Sequence, residues 1–292
     1  MDIFNLLFAV PPGALWPSLT AGLFGLLIGS FLNVVIYRMP KMIEREFANE
    51  CAEHCCNTPL PHTDTFNLSV PRSACPHCGH KITAMENIPV ISYLALRGKC
   101  SQCKAPISLR YPAIELTAGV LSALMVWTFG GGWLGLATIA FALLLLAMTF
   151  IDLDTFFLPD NLTYPLLWLG LLVNLNGAFV PLREAVIGAL AGYLVLWTVN
   201  TLFKLVRGKE GMGNGDFKLL AALGAWMGWG MLPAIIMLSS VVGSLIGIYM
   251  MLFKGHGREV PIPFGPYLTG AGLIAMLFRP EILSMMQRYL HG

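Results

Sequence analysis

Four aspartates and four cysteines hold most of the chemistry this chain can perform. Asp216 closes the run Gly211-Met-Gly-Asn-Gly-Asp216, in which three glycines alternate with other residues before an apolar run from Phe217 to Met231. Glycine tolerates positive φ and close backbone approach, so the run reads as a tight turn that delivers Asp216 to the start of a helix. Three more aspartates fall within Phe150-Ile-Asp152-Leu-Asp154-Thr-Phe-Phe-Leu-Pro-Asp160. Acids at a membrane face are costly and need a reason. Two carboxylates within hydrogen-bonding reach do not both ionise easily near neutral pH. They share a proton, and so supply a general base for water and a general acid for a leaving amine. The residues alone leave this open. Asp216 could cap its helix, Asp160 after Pro159 suits an N-cap, and Asp154 could sit solvated in a loop. No periodicity selects Asp152 over Asp160 as the partner of Asp216.

The cysteines point to a different chemistry. Cys75-Pro-His-Cys78 and Cys100-Ser-Gln-Cys103 are two C-x2-C knuckles separated by 21 residues. Two such knuckles complete a tetrahedral zinc site at ~2.3 Å per sulfur. A reducing cytoplasm disfavours the alternative of two disulfides. Four thiolates close the coordination sphere, so the metal is expected to be structural. Cys51, Cys55 and Cys56, with His54, are irregularly spaced and read as a mobile loop rather than a second metal site. Other chemistries lack their motifs: the chain has no H-E-x-x-H, no G-x-S-x-G and no P-loop.

These groups must be positioned by helices. Of 292 residues, 56% are hydrophobic and 12% charged, against about 25% charged in a typical soluble protein. Repeated apolar runs of spanning length predict an all-α polytopic membrane protein. The first run, Leu15 to Tyr37, is too long for a signal-peptide core and is expected to be a retained helix, ended by Pro40. Residues 41–111 are polar, hold all seven cysteines and form a soluble insert too small for a large core. Seven apolar segments follow within residues 112–292: Pro112–Phe129, Trp133–Ile151, Leu162–Leu175, Ala185–Phe203, Phe217–Trp229, Leu232–Phe253 and Phe264–Phe278. With residues 1–40 as the first, about eight transmembrane helices are expected. Fifteen of the 18 Lys and Arg residues fall in alternate connections: the insert, Lys204–Lys218 and Lys254–Arg258. The positive-inside rule then places the insert and the Asp216 turn in the cytoplasm.

Taken together, the motifs resemble a known family. Gly213-Asn-Gly-Asp216 resembles the G-x-G-D signature of intramembrane aspartyl proteases. Its companions narrow the likeness to the bacterial type IV prepilin peptidases. In chain order these are Gly29-Ser-Phe-Leu-Asn-Val-Val-Ile-Tyr-Arg38, the two cysteine knuckles, Arg110-Tyr-Pro-Ala-Ile-Glu115, Ile151-Asp-Leu-Asp154 with Leu158-Pro-Asp160, and Pro263-Phe-Gly-Pro-Tyr267. The resemblance implies that Asp152 and Asp216 form the catalytic pair. It implies cleavage of the basic leader of type IV prepilins and type II secretion pseudopilins at the inner membrane, then N-methylation of the new N-terminus with S-adenosylmethionine. It places methylation on the Arg97-Gly-Lys-Cys100 region, hence on Gly98 and Lys99, although no glycine motif of classical methyltransferases is present. The partners implied are the substrate and the lipid bilayer, without nucleic acid; nothing sets an oligomeric state. The rival readings are a proton-coupled transporter using the same aspartates and a non-enzymatic pilus-assembly protein in which both acids are caps.

Overall fold

The computed structural model describes residues 11–56, 59–209, 211–253 and 262–291. All regular elements among them are helical, and the only β-pairing is two isolated bridges, Ala74 with Lys81 and Lys99 with Pro106. The chain forms two compact units, Met1–Leu143 and Leu144–Gly292.

In the first unit, helix α1 (Leu15–Glu50) packs on α3 (Arg110–Phe129). Small residues bring the two backbones together: a Cβ added at Gly29 would stand 2.8 Å from both Ala118 Cβ and Glu115 Cα. Pro40 does not end α1, contrary to the expectation from sequence. The helix has 36 residues, continues ten past Pro40, and is followed by a π-helical turn, Cys51–Cys56. That turn also replaces the loop expected around the irregular cysteines; the side chains of Cys55 and Cys56 lie outside the described residues.

An internal proline costs about 3 kcal/mol, and contacts distant in sequence offset it. Asn49 exchanges two hydrogen bonds with the backbone of His62, at 2.9 and 3.1 Å. Arg45 pairs with Asp64 at 2.9 Å and stacks over Phe66, while Arg38 donates to the Asn67 carbonyl at 2.9 Å. Good helix formers from Lys41 to Glu46 do the rest. A short helix α2 (Ile91–Ala95) lies within the insert.

Helix α4 (Gly132–Thr155) ends in the second unit, which also holds α5 (Asp160–Val173), α6 (Leu182–Arg207), α7 (Asn214–Met227), α8 (Leu232–Phe253), α9 (Gly265–Leu277) and α10 (Arg279–His291). At the centre is α7, buried at Phe217 and at every residue from Leu219 to Met227. It is sheathed by α5, α6 and α9. Glycines permit the closeness: a Cβ at Gly192 would lie 2.6 Å from the Leu220 carbonyl, and Gly188 and Gly224 face each other backbone to backbone. The far end of α7 is clamped by polar groups that are fully used. Asn174 donates to the carbonyls of Ala225 and Trp226 and accepts from the N–H groups of Phe179 and Val180. Trp226 Nε1 donates to the Leu166 carbonyl at 2.9 Å. Satisfied groups of this kind specify one packing arrangement.

All eight expected apolar segments are helical, but among the described residues not all of them are long enough for a full span. Among the described residues, five helices are long and apolar enough to cross a membrane: α1, α3, α4, α6 and α8. The pair α9–α10, bent by 87°, makes a sixth if counted as one span. Helices α5 and α7 have 14 residues each, or roughly 21 Å against a ~30 Å hydrocarbon core. Packing inside a bundle removes the need for α7 to match the bilayer alone. The Lys254–Arg258 connection lies outside the described residues.

Candidate active site and cysteine cluster

Asp152 lies in the last turn of α4 and Asp216 is the third residue of α7; both are buried, at 5% and 7% exposure. Their carboxylates are close enough to repel one another. Asp152 Oδ2 is buried without a hydrogen-bond partner. Behind it stands the first residue of α9, Gly265, where an added Cβ would lie 2.5 Å from Oδ2. Leu158, 4% exposed, is wedged between two helix starts: its Cβ would be 2.7 Å from a Cβ at Gly215, and its Cδ1 3.3 Å from one at Gly265. One turn before Asp152, Thr149 bonds Thr269 through their hydroxyls at 2.7 Å, and Thr269 donates to the Gly265 carbonyl. The aspartate positions are thus set from α4, α7 and α9 together.

The glycine run works differently from the expected turn. Gly213 is extended (φ −74°, ψ 150°) and Gly215 is already helical, so neither needs a left-handed backbone. Gly215 serves close approach to Leu158. The loop is held from α6, where Asn200 Oδ1 accepts the N–H groups of Gly211 and Met212 at 3.0 and 3.1 Å. Gly213, not Asp216, occupies the N-cap, and the Asp216 carboxylate faces the Gly213 N–H. This is the reaching-back half of a capping box, so capping and pairing coexist in Asp216.

Asp160 is drawn elsewhere. It is the first residue of α5, after Pro159 at the N-cap, and it binds Lys218 Nζ through both oxygens at 2.6 and 2.8 Å. Lys218 also lies over the Tyr164 ring. Asp154 is exposed. Only Asp152 of the three is brought beside Asp216. The sequence assigns no role to Asn200, Lys218 or Gly265; the available signals are a polar Asn inside an apolar helix and the place of Gly265 in the Pro263–Tyr267 motif.

In the first unit, the sulfurs of Cys75, Cys78, Cys100 and Cys103 all lie within 4.8 Å of one another. Cys75 and Cys103 are 3.8 Å apart, and Cys78 and Cys100 4.0 Å. A tetrahedron with ~2.3 Å metal–sulfur bonds has edges of about 3.8 Å, so the set fits zinc. Each knuckle is a closed turn: the Cys75 N–H donates to the His80 carbonyl and the Gly79 N–H to the Cys75 carbonyl, and the Cys100 N–H donates to the Ala105 carbonyl and the Lys104 N–H to the Cys100 carbonyl. The N–H of Cys78, then that of His77, draws the Cys75 thiol down to about 7, toward the thiolate a metal requires. Glu86 ties the knuckles together. It accepts from Thr83 and bonds His80, and the Ser101 hydroxyl and Thr83 hold its carboxyl down to about 2.

Gly98 and Lys99 open the second knuckle. Gly98 has φ +67°, packs so tightly on Tyr93 that a Cβ would lie 2.8 Å from its hydroxyl, and accepts the Ile107 N–H at 2.7 Å. Lys99 is exposed and its backbone pairs with Pro106. Gly98 therefore has a structural duty of its own.

The profile of the bacterial peptidase A24 N-terminal domain matches residues 23–129, and that of the type IV leader peptidase family matches residues 139–248. The prepilin leader peptidase/N-methyltransferase of Aeromonas salmonicida (strain A449) is 56% identical over 262 residues, 89% of this chain and 90% of its own. That of Stutzerimonas stutzeri is 54% identical over 266 residues, 91% and 92%. That of Pseudomonas aeruginosa is 54% identical over 260 residues, 89% and 90%. No solved structure matches. None of these relatives supports a transporter. Matches over both units, with identity above half along nine-tenths of the length, establish that the chain belongs to the type IV leader peptidase family.

Proposed function

We propose that this protein cleaves the basic leader from type IV prepilins and type II secretion pseudopilins at the cytoplasmic face of the inner membrane, with Asp152 and Asp216 as the catalytic pair, and then N-methylates the exposed N-terminus. The observation that carries the peptidase reading is the pair of buried, mutually repelling carboxylates, one with an oxygen left without a donor. Such a pair holds one proton near neutral pH. The ionised member takes a proton from water, the water attacks the scissile carbonyl carbon, and the protonated member donates to the leaving amine. No covalent intermediate is needed. The substrate enters as a helix with its basic leader in the cytoplasm, and a helix-breaking glycine at the cut site supplies the extended backbone that attack requires.

Zinc would be held by Cys75, Cys78, Cys100 and Cys103 as a structural ion. S-adenosylmethionine supplies the methyl group, and the insert around Gly98 and Lys99 is the region proposed to serve it. The direct test is mass spectrometry of a prepilin peptide incubated with purified enzyme and S-adenosylmethionine. The expected products are the leader, cut after glycine, and a mature peptide heavier by one methyl group. An intact peptide contradicts the proposal.

The supports of the dyad give two further expectations. Gly265→Ala pushes a methyl against Asp152 Oδ2, and displacement by a fraction of an ångström lowers kcat about 10- to 100-fold with KM little changed. Asn200→Ala frees two N–H groups of the glycine loop and lowers cleavage about 10-fold, whereas Asn200→Asp keeps the acceptor and most of the activity. Steady-state kinetics on a fluorogenic prepilin peptide read both. Wild-type rates in Gly265→Ala would show that α9 does not set the Asp152 position.

A further inference from the structure

Glu115 is the one buried acid among the described residues of the first unit, 9% exposed on the membrane helix α3, and neither the dyad nor the cysteine cluster uses it. Its Oε2 accepts the N–H of Val90 at 2.8 Å, and its other contact is the Ser30 hydroxyl. Further neutral groups gather nearby. Ser30 reaches Asn87 Oδ1 at 3.4 Å, and the Asn33 amide lies 3.3 Å from the carbonyls of Gly29 and Tyr111. No salt bridge among the described residues involves Glu115. A buried carboxylate served only by neutral donors is charge in want of a cation. Val90 holds φ +59°, which a β-branched residue avoids, and its N–H is directed to this carboxylate. The same residue precedes α2, which carries Tyr93 onto Gly98 and the second knuckle. The acid therefore stands where the membrane helix meets the insert.

Resting on the peptidase and methyltransferase reading above, we propose that Glu115 binds the α-ammonium group of the cleaved product and accepts its proton for methylation. Hydrolysis releases an α-amine that is mostly protonated at neutral pH, with an ordinary pKa of about 8. An ammonium has no lone pair and cannot attack. Transfer of one N–H proton to the Glu115 carboxylate leaves the neutral amine. Its lone pair forms the new N–C bond to the sulfonium methyl as the C–S bond breaks and that electron pair returns to sulfur. The product is a methylammonium ion, and the proton on Glu115 passes to water.

The test is binding, in the absence of any methyl donor, of a mature-end peptide with a free α-amine and of its N-acetylated form. Wild-type protein is expected to prefer the free amine at least about 10-fold, and Glu115→Gln to lose that preference while still accepting the Val90 N–H and retaining bound zinc. Glu115→Asp keeps the charge and is expected to keep the preference; Asp152→Asn is also expected to keep it, which separates this site from the dyad. In the full reaction Glu115→Gln should cut prepilin normally and methylate at least about 10-fold more slowly. Preference retained in Glu115→Gln, or lost equally in Glu115→Asp, overturns the assignment. So does wild-type protein that cuts prepilin yet binds both peptides alike. Wild-type protein that leaves prepilin uncut sinks the peptidase reading instead.

Discussion

Asp152→Asn and Asp216→Asn each reduce leader cleavage by at least about 10³-fold while the protein still inserts and folds. The magnitude follows from the role: an amide of nearly the same shape neither takes a proton from water nor delivers one to the leaving amine, and positioned acid–base groups contribute about 10² to 10⁴ each. The two losses should not add, because either change destroys the shared proton. The stability expectation runs the other way. The wild-type enzyme confines two repelling acids in a buried site, and Asp152 Oδ2 has no donor. Removing one charge relieves that cost, so each variant is expected to unfold at the same temperature or higher. Prepilin processing in membranes, read beside a thermal-unfolding curve in detergent, checks both halves. If both aspartates are only helix caps, the Asn variants process normally.

Metal removal carries the second large effect. Among the described residues of the insert from 59 to 109, regular structure amounts to a five-residue helix, one 3₁₀ turn and two isolated bridges. Cys100 is one of the few buried side chains there. A segment with so little core depends on its staple, and a structural zinc site contributes on the order of 10 kcal/mol to folding. Cys75→Ser, Cys100→Ser or a strong chelator should therefore release zinc, open the insert to proteolysis and abolish methylation. Cleavage should fall less than about 10-fold, because every described contact of Asp152 and Asp216 lies within Leu144–Gly292. Zinc content, limited proteolysis and the two product yields report this together. Equal loss of both activities would assign the metal a general folding role.

Spacing made the cysteine cluster legible, because C-x2-C encodes a closed turn whatever surrounds it. The long helices were legible for a similar reason, since an apolar run of 20 residues has few other uses. What failed depended on contacts distant in sequence. Pro40 obeys a local rule that Arg38, Arg45 and Asn49 override by binding residues 62–67. The lengths of α5 and α7 follow from the sheath of neighbours, which hydropathy does not describe. The choice between Asp152 and Asp160 was closed to periodicity. In space Lys218, two residues beyond Asp216, takes both oxygens of Asp160, which supports Asp152 as the proposed partner. The glycine run suggests either positive φ or close backbone approach, and at Gly215 it is close approach, to Leu158 pressing on α7, that excludes a side chain. Glu115 stands in the sequence as one residue of a motif, and its burial with no ion pair among the described residues follows only from the packing of α1 on α3.

The central claim is that an aspartyl pair cuts while a separate site methylates. Mass spectrometry of purified Asp216→Asn protein with S-adenosylmethionine, given uncut prepilin peptide and, in parallel, the pre-cut mature peptide, tests it most directly. The expected spectra show the uncut peptide at its original mass and the pre-cut peptide heavier by one methyl group. Uncut peptide converted to leader and mature fragments at the wild-type rate would contradict the account.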